Sequence, residues 1–309
     1  MNWIKFYWDG GDDILHWHAD RNFNIDISDI VYRKLDPLES AIRAVNNIVN
    51  TYPPPYTLLC SGGIDSHAMI YSWKLANVPF RAVTFIYDRF MNDHDYPILV
   101  DFCKLHNVNL EFKHISHFDF LENELINYSK KYICNSPQIT FHIKMAQLIT
   151  EGTVIFSGQP IFKHAGLNYT ILGIYRYKLM ERKELVPFFF IEDPELAGSL
   201  LYYSNNLDHS KEELHSFRDY QIKSFVYIKS GFSIIPTYKK SGFEQYKIYY
   251  DRFPISVFDR LNRKENPSNR AYDMFFRYRL NTINNYCNIT KIITPYSMKG
   301  ISNELSYRF

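Results

Sequence analysis

The residues best suited to chemistry stand in one short stretch, SGGIDS at residues 61–66. Two adjacent glycines, Gly62 and Gly63, let backbone N–H groups approach an anion closely, and Ser61 and Ser66 add hydroxyl donors. A helix that begins near Ser66 would direct the positive end of its dipole at the same point. The stretch therefore indicates a binding site for phosphate or pyrophosphate.

The acid in this stretch, Asp65, needs its own explanation, because a carboxylate and a phosphate repel each other. A Mg²⁺ ion held between the carboxylate and phosphate oxygens would remove the conflict. The alternative is an ordinary strand-to-helix turn, in which Gly supplies positive φ and Asp or Ser caps the helix. The complete SGGxDS pattern, after an apolar strand and before a helix, favours the nucleotide site.

The surrounding sequence alternates short apolar strands with helical patterns. YTLLC precedes the glycines and HAMIYSWKLAN follows them, and FRAVTFIY, VNLEFKHI and TVIFSG are further predicted strands with helical segments between them. This alternation predicts βαβ crossovers and an α/β fold, with a parallel sheet covered by helices on both faces. The loops after the strands would converge on one edge, where ligands of open parallel sheets bind.

Two regions flank the α/β part. Residues 2–8 and 14–18 surround the turn-rich DGGDD and predict a β-hairpin. After residue 170 the alternation is lost, and helical patterns mix with β-like pieces such as SFVYIKSGFSIIP. We therefore predict an N-terminal hairpin extension at residues 1–35, a nucleotide-binding domain at 36–170 and a mainly helical substrate or lid region at 171–309.

Composition sets broader limits. The chain has 309 residues, 46% of them apolar, so it can bury one large core or two moderate ones, and its net charge is only +2. Its four cysteines form no CxxC pair, so we expect neither a zinc site nor a disulfide framework, and a reducing, cytoplasmic location. We expect no signal peptide and no membrane partner, because charged residues interrupt each apolar run.

The stretch SGGIDS resembles the PP-loop of the N-type ATP pyrophosphatases, which cleave ATP between the α- and β-phosphates and transfer AMP to a substrate oxygen. It lacks the GxxxxGK[ST] pattern of a Walker loop. The resemblance is strongest to the synthetase domain of asparagine synthetase and β-lactam synthetase. The helical pattern before LLCSGG and the segment SPQITFHIKMAQLITEGTVIFSGQPIF are similar as well. The resemblance implies an adenine nucleotide alpha hydrolase-like fold, ATP and Mg²⁺ as ligands, and adenylation of a carboxylate or carbonyl oxygen.

The resemblance also assigns roles to residues of the predicted sheet edge. Asp65 would bind Mg²⁺ and act in catalysis, within a loop whose serines and glycines hold the phosphates. Backbone near Leu59, and near Thr84 or Phe85, would recognise adenine. Ser157 and Gly158 match the turn that lines the nucleotide and acyl-adenylate pocket.

A second part of the match lies in TYKKSGFEQY. Here Lys240 precedes Phe243 by three residues, the spacing at which the family places a lysine that neutralises the departing pyrophosphate. Lys239 would take this role if the offset differs by one residue. Lys240 is therefore a predicted catalytic residue.

The sequence departs from the family pattern at the pocket turn. The family's SGEGxDE becomes SGQPIFK, so Gln159 replaces a substrate-contacting Glu and Phe162 stands where a second Mg²⁺-binding Asp is expected. This difference argues against aspartate as the substrate and leaves Asp65 as the evident metal ligand. His164, six residues beyond Gly158, is a further candidate for substrate contact.

The predicted partners follow from the same resemblance. We expect no N-terminal glutaminase domain, because residue 2 is Asn rather than Cys, so an amine, or ammonia from a separate chain, would attack the adenylated small molecule. Two alternatives stay open: an adenylating enzyme that modifies a nucleobase or tRNA, and a nucleotide-binding PP-loop protein without turnover. The basic C-terminal region is compatible with nucleic acid but is typical of a solvated face.

Two histidine pairs are candidate metal ligands. His16 and His18 alternate on a predicted strand, and His114 and His117 lie close together in sequence. Neither pair has a third ligand at a recognisable spacing, so we interpret them as structural or exposed residues.

Overall fold

The protein is described by a computed structural model over residues 3–8, 10–11, 23–27, 35–88, 92–132, 137–158, 160, 180, 184–205 and 219–236. Within these residues the chain forms a two-stranded sheet and a five-stranded sheet. The larger sheet and the helices that cover it position the candidate site.

The small N-terminal sheet pairs β1 (Ile4–Trp8) with β2 (Phe23–Ile27) in antiparallel orientation. The predicted partner of β1, residues 14–18, lies outside the described residues, so that pairing stays a prediction. Strand β2 was not predicted from the sequence, although FNIDI alternates apolar and polar residues as a strand does. Trp3 Nε1 donates to the carbonyl oxygen of Ile191 at 3.0 Å, which ties this sheet to the rest of the protein.

The large sheet contains five parallel strands, and it confirms the predicted α/β class. Its strand order is β5-β4-β3-β6-β7. The strands are β3 (Tyr56–Leu59), β4 (Arg81–Tyr87), β5 (Leu110–Ile115), β6 (Thr153–Phe156) and β7 (Leu185–Val186). The order runs outward in both directions from β3, so the crevice beyond the carboxyl ends of β3 and β6 is a topological switch point, where ligands of such sheets bind.

One face of the sheet is covered by α1 (Pro37–Thr51), α2 (Ile64–Leu75) and α3 (Tyr96–Leu105). Helix α1 begins where Asp36 Oδ1 accepts a hydrogen bond from the Glu39 amide at 3.0 Å, with a proline as its first residue. Its buried side chains recur at helical spacing and join the core that also contains Leu58 and Trp73.

Helices on the other face complete the predicted two-sided cover. They are α4 (His117–Asp119), a π-helical turn (Phe120–Glu124), α5 (Leu125–Lys131) and α6 (Pro137–Gln147). Rings of α6 contact the sheet: Phe141 packs edge-on against Tyr87 at 5.2 Å between centroids, and His142 stacks on Phe156 at 5.8 Å.

Beyond residue 170 the described chain adds β7, α7 (Phe189–Glu192), α8 (Pro194–Asn205) and α9 (Asp219–Lys229). Val186, Leu196 and Val226 belong to the same core cluster as α1 and α2, and β7 extends the sheet. The predicted boundary between residues 170 and 171 stays a prediction. None of the described helices is long and apolar enough to cross a membrane.

The prediction of β-like structure in SFVYIKSGFSIIP is wrong. Ser224 to Lys229 form the end of α9, and residues 230–236 contain no strand. Aromatic and β-branched residues favour strands locally. Ile222, Val226 and Tyr227 share one helical face, however, and all three are buried in the core, so tertiary packing selects the helix.

Candidate nucleotide site

The glycine loop, residues 61–66, joins β3 to the start of α2 as predicted. Gly63 is the N-cap of α2, and its carbonyl oxygen accepts hydrogen bonds from the amides of Ser66 at 3.0 Å and His67 at 3.2 Å. Ile64 and Asp65, the first two residues of the helix, have no intrahelical carbonyl for their own amides. These amides and the positive end of the helix dipole create a position that favours an anion.

The two serines of the loop bond to the loop itself. The Ser61 amide donates to Ser66 Oγ at 3.0 Å, the two hydroxyl oxygens lie 3.4 Å apart, and the Gly63 amide donates to Ser61 Oγ at 3.4 Å. Ser61 and Ser66 therefore hold the loop in shape. Their predicted role as phosphate donors stays a prediction.

Gly62 makes a close contact that the sequence did not indicate. Its amide donates to Asp95 Oδ1 at 2.7 Å, and a Cβ at this position would lie 2.1 Å from the Asp95 carbonyl oxygen. Only glycine permits this approach. Asp95 directly precedes α3, so its position in the sequence is typical of a helix cap rather than of a loop contact.

Asn92 holds Asp95 against the sheet. Its side-chain amide donates to the Phe85 carbonyl oxygen at 2.7 Å, its Oδ1 accepts from the Tyr87 amide at 2.9 Å, and its own carbonyl oxygen accepts from the Asp95 amide at 2.9 Å. The Phe85 carbonyl, predicted to recognise adenine, is thus already bonded to Asn92. Leu59 ends β3 and is buried beside the loop. The adenine roles of Leu59 and Phe85 stay predictions.

Asp65 is bonded by two side chains of α9. Lys223 Nζ lies 2.7 Å from Asp65 Oδ2, and the Tyr227 hydroxyl donates to Asp65 Oδ1 at 2.9 Å. Burial raises the pKa of Tyr227 well above its ordinary value, and the charge and hydrogen bond of Asp65 raise it further, so the phenol stays protonated and donates. The structure therefore brings a cation, which the sequence analysis missed, to the predicted metal ligand.

A weak sequence signal for this pair existed. Lys223 and Tyr227 are four residues apart, so they lie on the same face of a helix. The β-like pattern predicted for residues 224–236 includes Tyr227 but not Lys223, so the two residues were not predicted to lie on one element. The helical spacing of Lys223 and Tyr227 also does not indicate that Asp65 is their partner.

The predicted pocket turn follows β6 at the same edge of the sheet. β3 and β6 are neighbours, with Leu59 opposite Phe156, so the turn at Ser157 and Gly158 lies next to the start of the glycine loop. Gly158 has φ +66°, and a Cβ there would lie 2.4 Å from the Phe188 ring. The Ser157 carbonyl oxygen accepts from the Phe190 amide at 3.4 Å. The turn is thus packed against the chain that follows β7.

The other predicted site residues lie outside the described residues. They are Gln159, His164 and Lys240, together with Phe162 and Lys239. Their roles remain predictions.

The remaining nucleophile and metal candidates are separated or unsuited to reaction. His114 is exposed on β5, whereas His117 is buried and stacked on Phe141 at 3.9 Å between centroids. Cys60, directly before the loop, is buried, and burial raises the pKa of its thiol well above the ordinary value, with Cys103 adding to the effect. Within the described ranges no three His, Cys, Asp or Glu residues form a metal-binding group.

The donor types at the loop fit Mg²⁺ and phosphate. Asp65 offers the carboxylate oxygens that Mg²⁺ prefers, and the amides at the N-terminus of α2 suit phosphate oxygens. Both oxygens of Asp65 are bonded to α9, so a metal ion at Asp65 would compete with these two donors for the carboxylate.

Comparisons with known proteins place the fold in context. No family model and no curated protein matches the chain. NMN synthetase from Francisella tularensis is similar over 84% of this chain and 97% of that chain, with 14% identity and a TM-score of 0.32. U34-tRNA thiolase NcsA from Methanococcus maripaludis, solved with its iron–sulfur cluster, is similar over 82% of this chain and 85% of that chain, with 13% identity and a TM-score of 0.34.

Proposed function

We propose that the protein binds ATP with Mg²⁺ at the glycine loop and transfers AMP to a carboxylate or carbonyl oxygen of a small-molecule substrate, releasing pyrophosphate. The activity would be that of an asparagine synthetase-like, AMP-forming ligase with a PP-loop. The observation that carries the proposal is the meeting of Asp65 and Lys223 at the N-terminus of α2, beyond the carboxyl end of β3.

This arrangement suits a ligand with several negative charges. The amides of Ile64 and Asp65 and the dipole of α2 favour anionic oxygens, and Lys223 adds a full positive charge at the same place. The Lys223 side chain is 15% exposed, so its charge is screened less by solvent than that of a surface lysine. A triphosphate satisfies these donors better than a single carboxylate does.

Asp65 is the proposed ligand for Mg²⁺. The metal ion, when bound, neutralises charge on the phosphates and so makes pyrophosphate a better leaving group. Asp95 is a second carboxylate at the loop, but its Oδ1 accepts from the Gly62 amide and so orders the loop backbone. Tyr227 holds the other oxygen of Asp65 and orients the carboxylate.

The substrate would lie between the glycine loop and the turn at Ser157 and Gly158, since both follow neighbouring strands. From there its oxygen can attack the α-phosphate on the side opposite the pyrophosphate. The increase in rate would come from holding the attacking oxygen and the α-phosphate in line. Gln159 and His164 are the proposed substrate contacts. An amine, or ammonia from a separate chain, would then displace AMP from the activated carbon.

The test is an assay for AMP and pyrophosphate with ATP, Mg²⁺ and pooled carboxylic acids. We expect AMP formation in the wild-type protein and about a hundredfold slower formation in Asp65→Asn, because one electrostatic contact to the leaving phosphates is lost. Asp101→Asn, an exposed acid on α3, is the matched control and should leave the rate unchanged. Lys240→Met in the same assay tests the predicted lysine of TYKKSGFEQY.

Three outcomes would reject the ligase. Absence of both AMP formation and ATP binding by calorimetry would reject the nucleotide site as well. ATP binding without turnover for any acid would identify a nucleotide-binding protein instead. AMP formation only with tRNA, together with steeply salt-dependent RNA binding, would identify a nucleobase-modifying enzyme.

A further inference from the structure

The inference concerns the side chains that bond Asp65. Lys223 Nζ and the Tyr227 hydroxyl take one carboxylate oxygen each, at 2.7 and 2.9 Å. The two residues are one turn apart on α9, whereas Asp65 is more than 150 residues earlier in the chain. The contact therefore joins α9 to the first turn of α2.

The two partners of Asp65 differ in their freedom to move. The Tyr227 ring is fully buried, with the Phe190 ring centroid at 5.6 Å and that of Phe232 at 5.1 Å. Ile222 and Val226 anchor the backbone of α9 in the same core. Lys223 carries its charge on a flexible four-carbon stem, so its ammonium can leave Asp65 without any movement of the helix.

The ammonium group also competes with a metal ion for Asp65. Two cations on one carboxylate oxygen repel each other strongly in a partly buried site, and the Asp65 side chain is only 19% exposed. Mg²⁺ therefore binds Asp65 more tightly once the ammonium has left Oδ2. The ammonium then needs another anion nearby, and the phosphates of ATP supply one.

We propose that Lys223 occupies the metal position on Asp65 in the nucleotide-free protein and moves to the phosphates of ATP when Mg²⁺ binds. This inference rests on the proposed function and adds a catalytic residue to it, because the displaced ammonium contacts the pyrophosphate that departs. Metal binding and nucleotide binding then depend on each other. Mg²⁺ alone takes Asp65 away from Lys223, whereas Mg²⁺ with ATP gives Lys223 the phosphates as a new partner.

The test measures Mn²⁺ binding in the absence of nucleotide by calorimetry. We expect Lys223→Met to bind Mn²⁺ about tenfold more tightly than the wild-type protein, in the usual range of such couplings. Lys229→Met is the matched control, since Lys229 is an exposed lysine on the same helix, and it should bind Mn²⁺ as the wild type does. Adding Asp65→Asn to Lys223→Met should abolish the gain.

The second arm measures ATP binding with saturating Mg²⁺, in which Lys223→Met should bind about tenfold more weakly than the wild type. Lys223→Gln, which keeps a polar side chain, replaces Lys223→Met if circular dichroism shows that the latter is unfolded. Unchanged Mn²⁺ affinity in the folded variant would overturn the inference. A gain in Mn²⁺ affinity with no ATP binding in the wild type would reject ATP as the ligand but support the exchange of lysine for metal at Asp65.

Discussion

The amide of Gly62 donates to Asp95 Oδ1 at 2.7 Å, and the Asp95 carbonyl oxygen lies where a Gly62 side chain would begin. This contact joins the loop after β3 to the connection between β4 and α3. The first glycine of the loop therefore serves close backbone packing. The amides further along, at the N-terminus of α2, are the ones that we propose for phosphate.

Gly62→Ala should destabilise the fold and weaken nucleotide binding. The new Cβ would lie 2.1 Å from the Asp95 carbonyl oxygen and 2.6 Å from its Oδ1, so backbone must move on one side or the other. We expect a loss of about 1–3 kcal/mol in the free energy of unfolding, measured by urea denaturation. Gly11→Ala, with no atom within 4 Å of its new Cβ, is the control, and an equal loss there would refute the packing argument.

Two replacements of Asp95 distinguish the effect of its hydrogen bond on stability from the effect of its charge. Asp95→Asn keeps an oxygen that can accept from Gly62, whereas Asp95→Ala leaves a buried amide without this acceptor. The alanine variant should therefore lose about 1–3 kcal/mol of unfolding free energy and the asparagine variant clearly less. Equal losses in thermal or urea denaturation would show that the charge, not the hydrogen bond, holds the loop.

Gly158→Ala should disturb the turn after β6 for two reasons. Gly158 has φ +66°, which disfavours alanine, and the new Cβ would lie 2.4 Å from the Phe188 ring. We expect a loss of about 1–3 kcal/mol in unfolding free energy. Removing the ring relieves only the steric part, so Gly158→Ala with Phe188→Ala should lose less than the sum of the single variants. Strict additivity in the double-mutant cycle would contradict the contact.

Buried His117 should make stability fall with acid. Burial lowers the pKa of its imidazole well below the ordinary value, and His142 lowers it further. Below about pH 6.5 the unfolded chain binds a proton at His117 that the folded protein does not bind. The contribution of His117 to the free energy of unfolding is therefore complete above that pH and is lost as the pH falls. The expected slope is about 1.4 kcal/mol per pH unit, measured by urea denaturation over a pH series.

His117→Phe should remove this part of the acid dependence, because Phe has no proton to bind and can keep the stack on Phe141. His114→Phe on exposed β5 is the matched control and should keep the slope of the wild type. An unchanged slope in His117→Phe would assign the acid sensitivity to other groups.

Much of the fold could be predicted from local patterns. Short apolar strands such as Tyr56–Leu59 alternate with helices such as Ile64–Leu75, and both lie where hydrophobic periodicity and turn residues placed them. Parallel strands joined by crossovers follow from that alternation. The position of the glycine loop at a strand end follows from the same rule, whereas the pocket turn at Ser157 and Gly158 was implied by the resemblance, and its neighbouring position is shown by the pairing of β3 with β6.

The local rules failed where burial competes with propensity. SFVYIK is helical, although its residues favour strands, because the faces of α9 and the sheet must be buried together. Whether such a segment becomes helix or strand depends on contacts with residues far away in the sequence, which a short stretch of sequence does not show.

The sequence by itself therefore determined the α/β fold, the order of its elements and the loop that holds Asp65. Only the tertiary structure decided what Asp65 and Gly62 contact. Lys223 and Tyr227 are 158 and 162 residues from Asp65 in the sequence, and Asp95 is 33 residues from Gly62. The physical reason is that these partners are set by how helices pack on the sheet. A sequence pattern specifies the face of a helix, but not which loop lies opposite it.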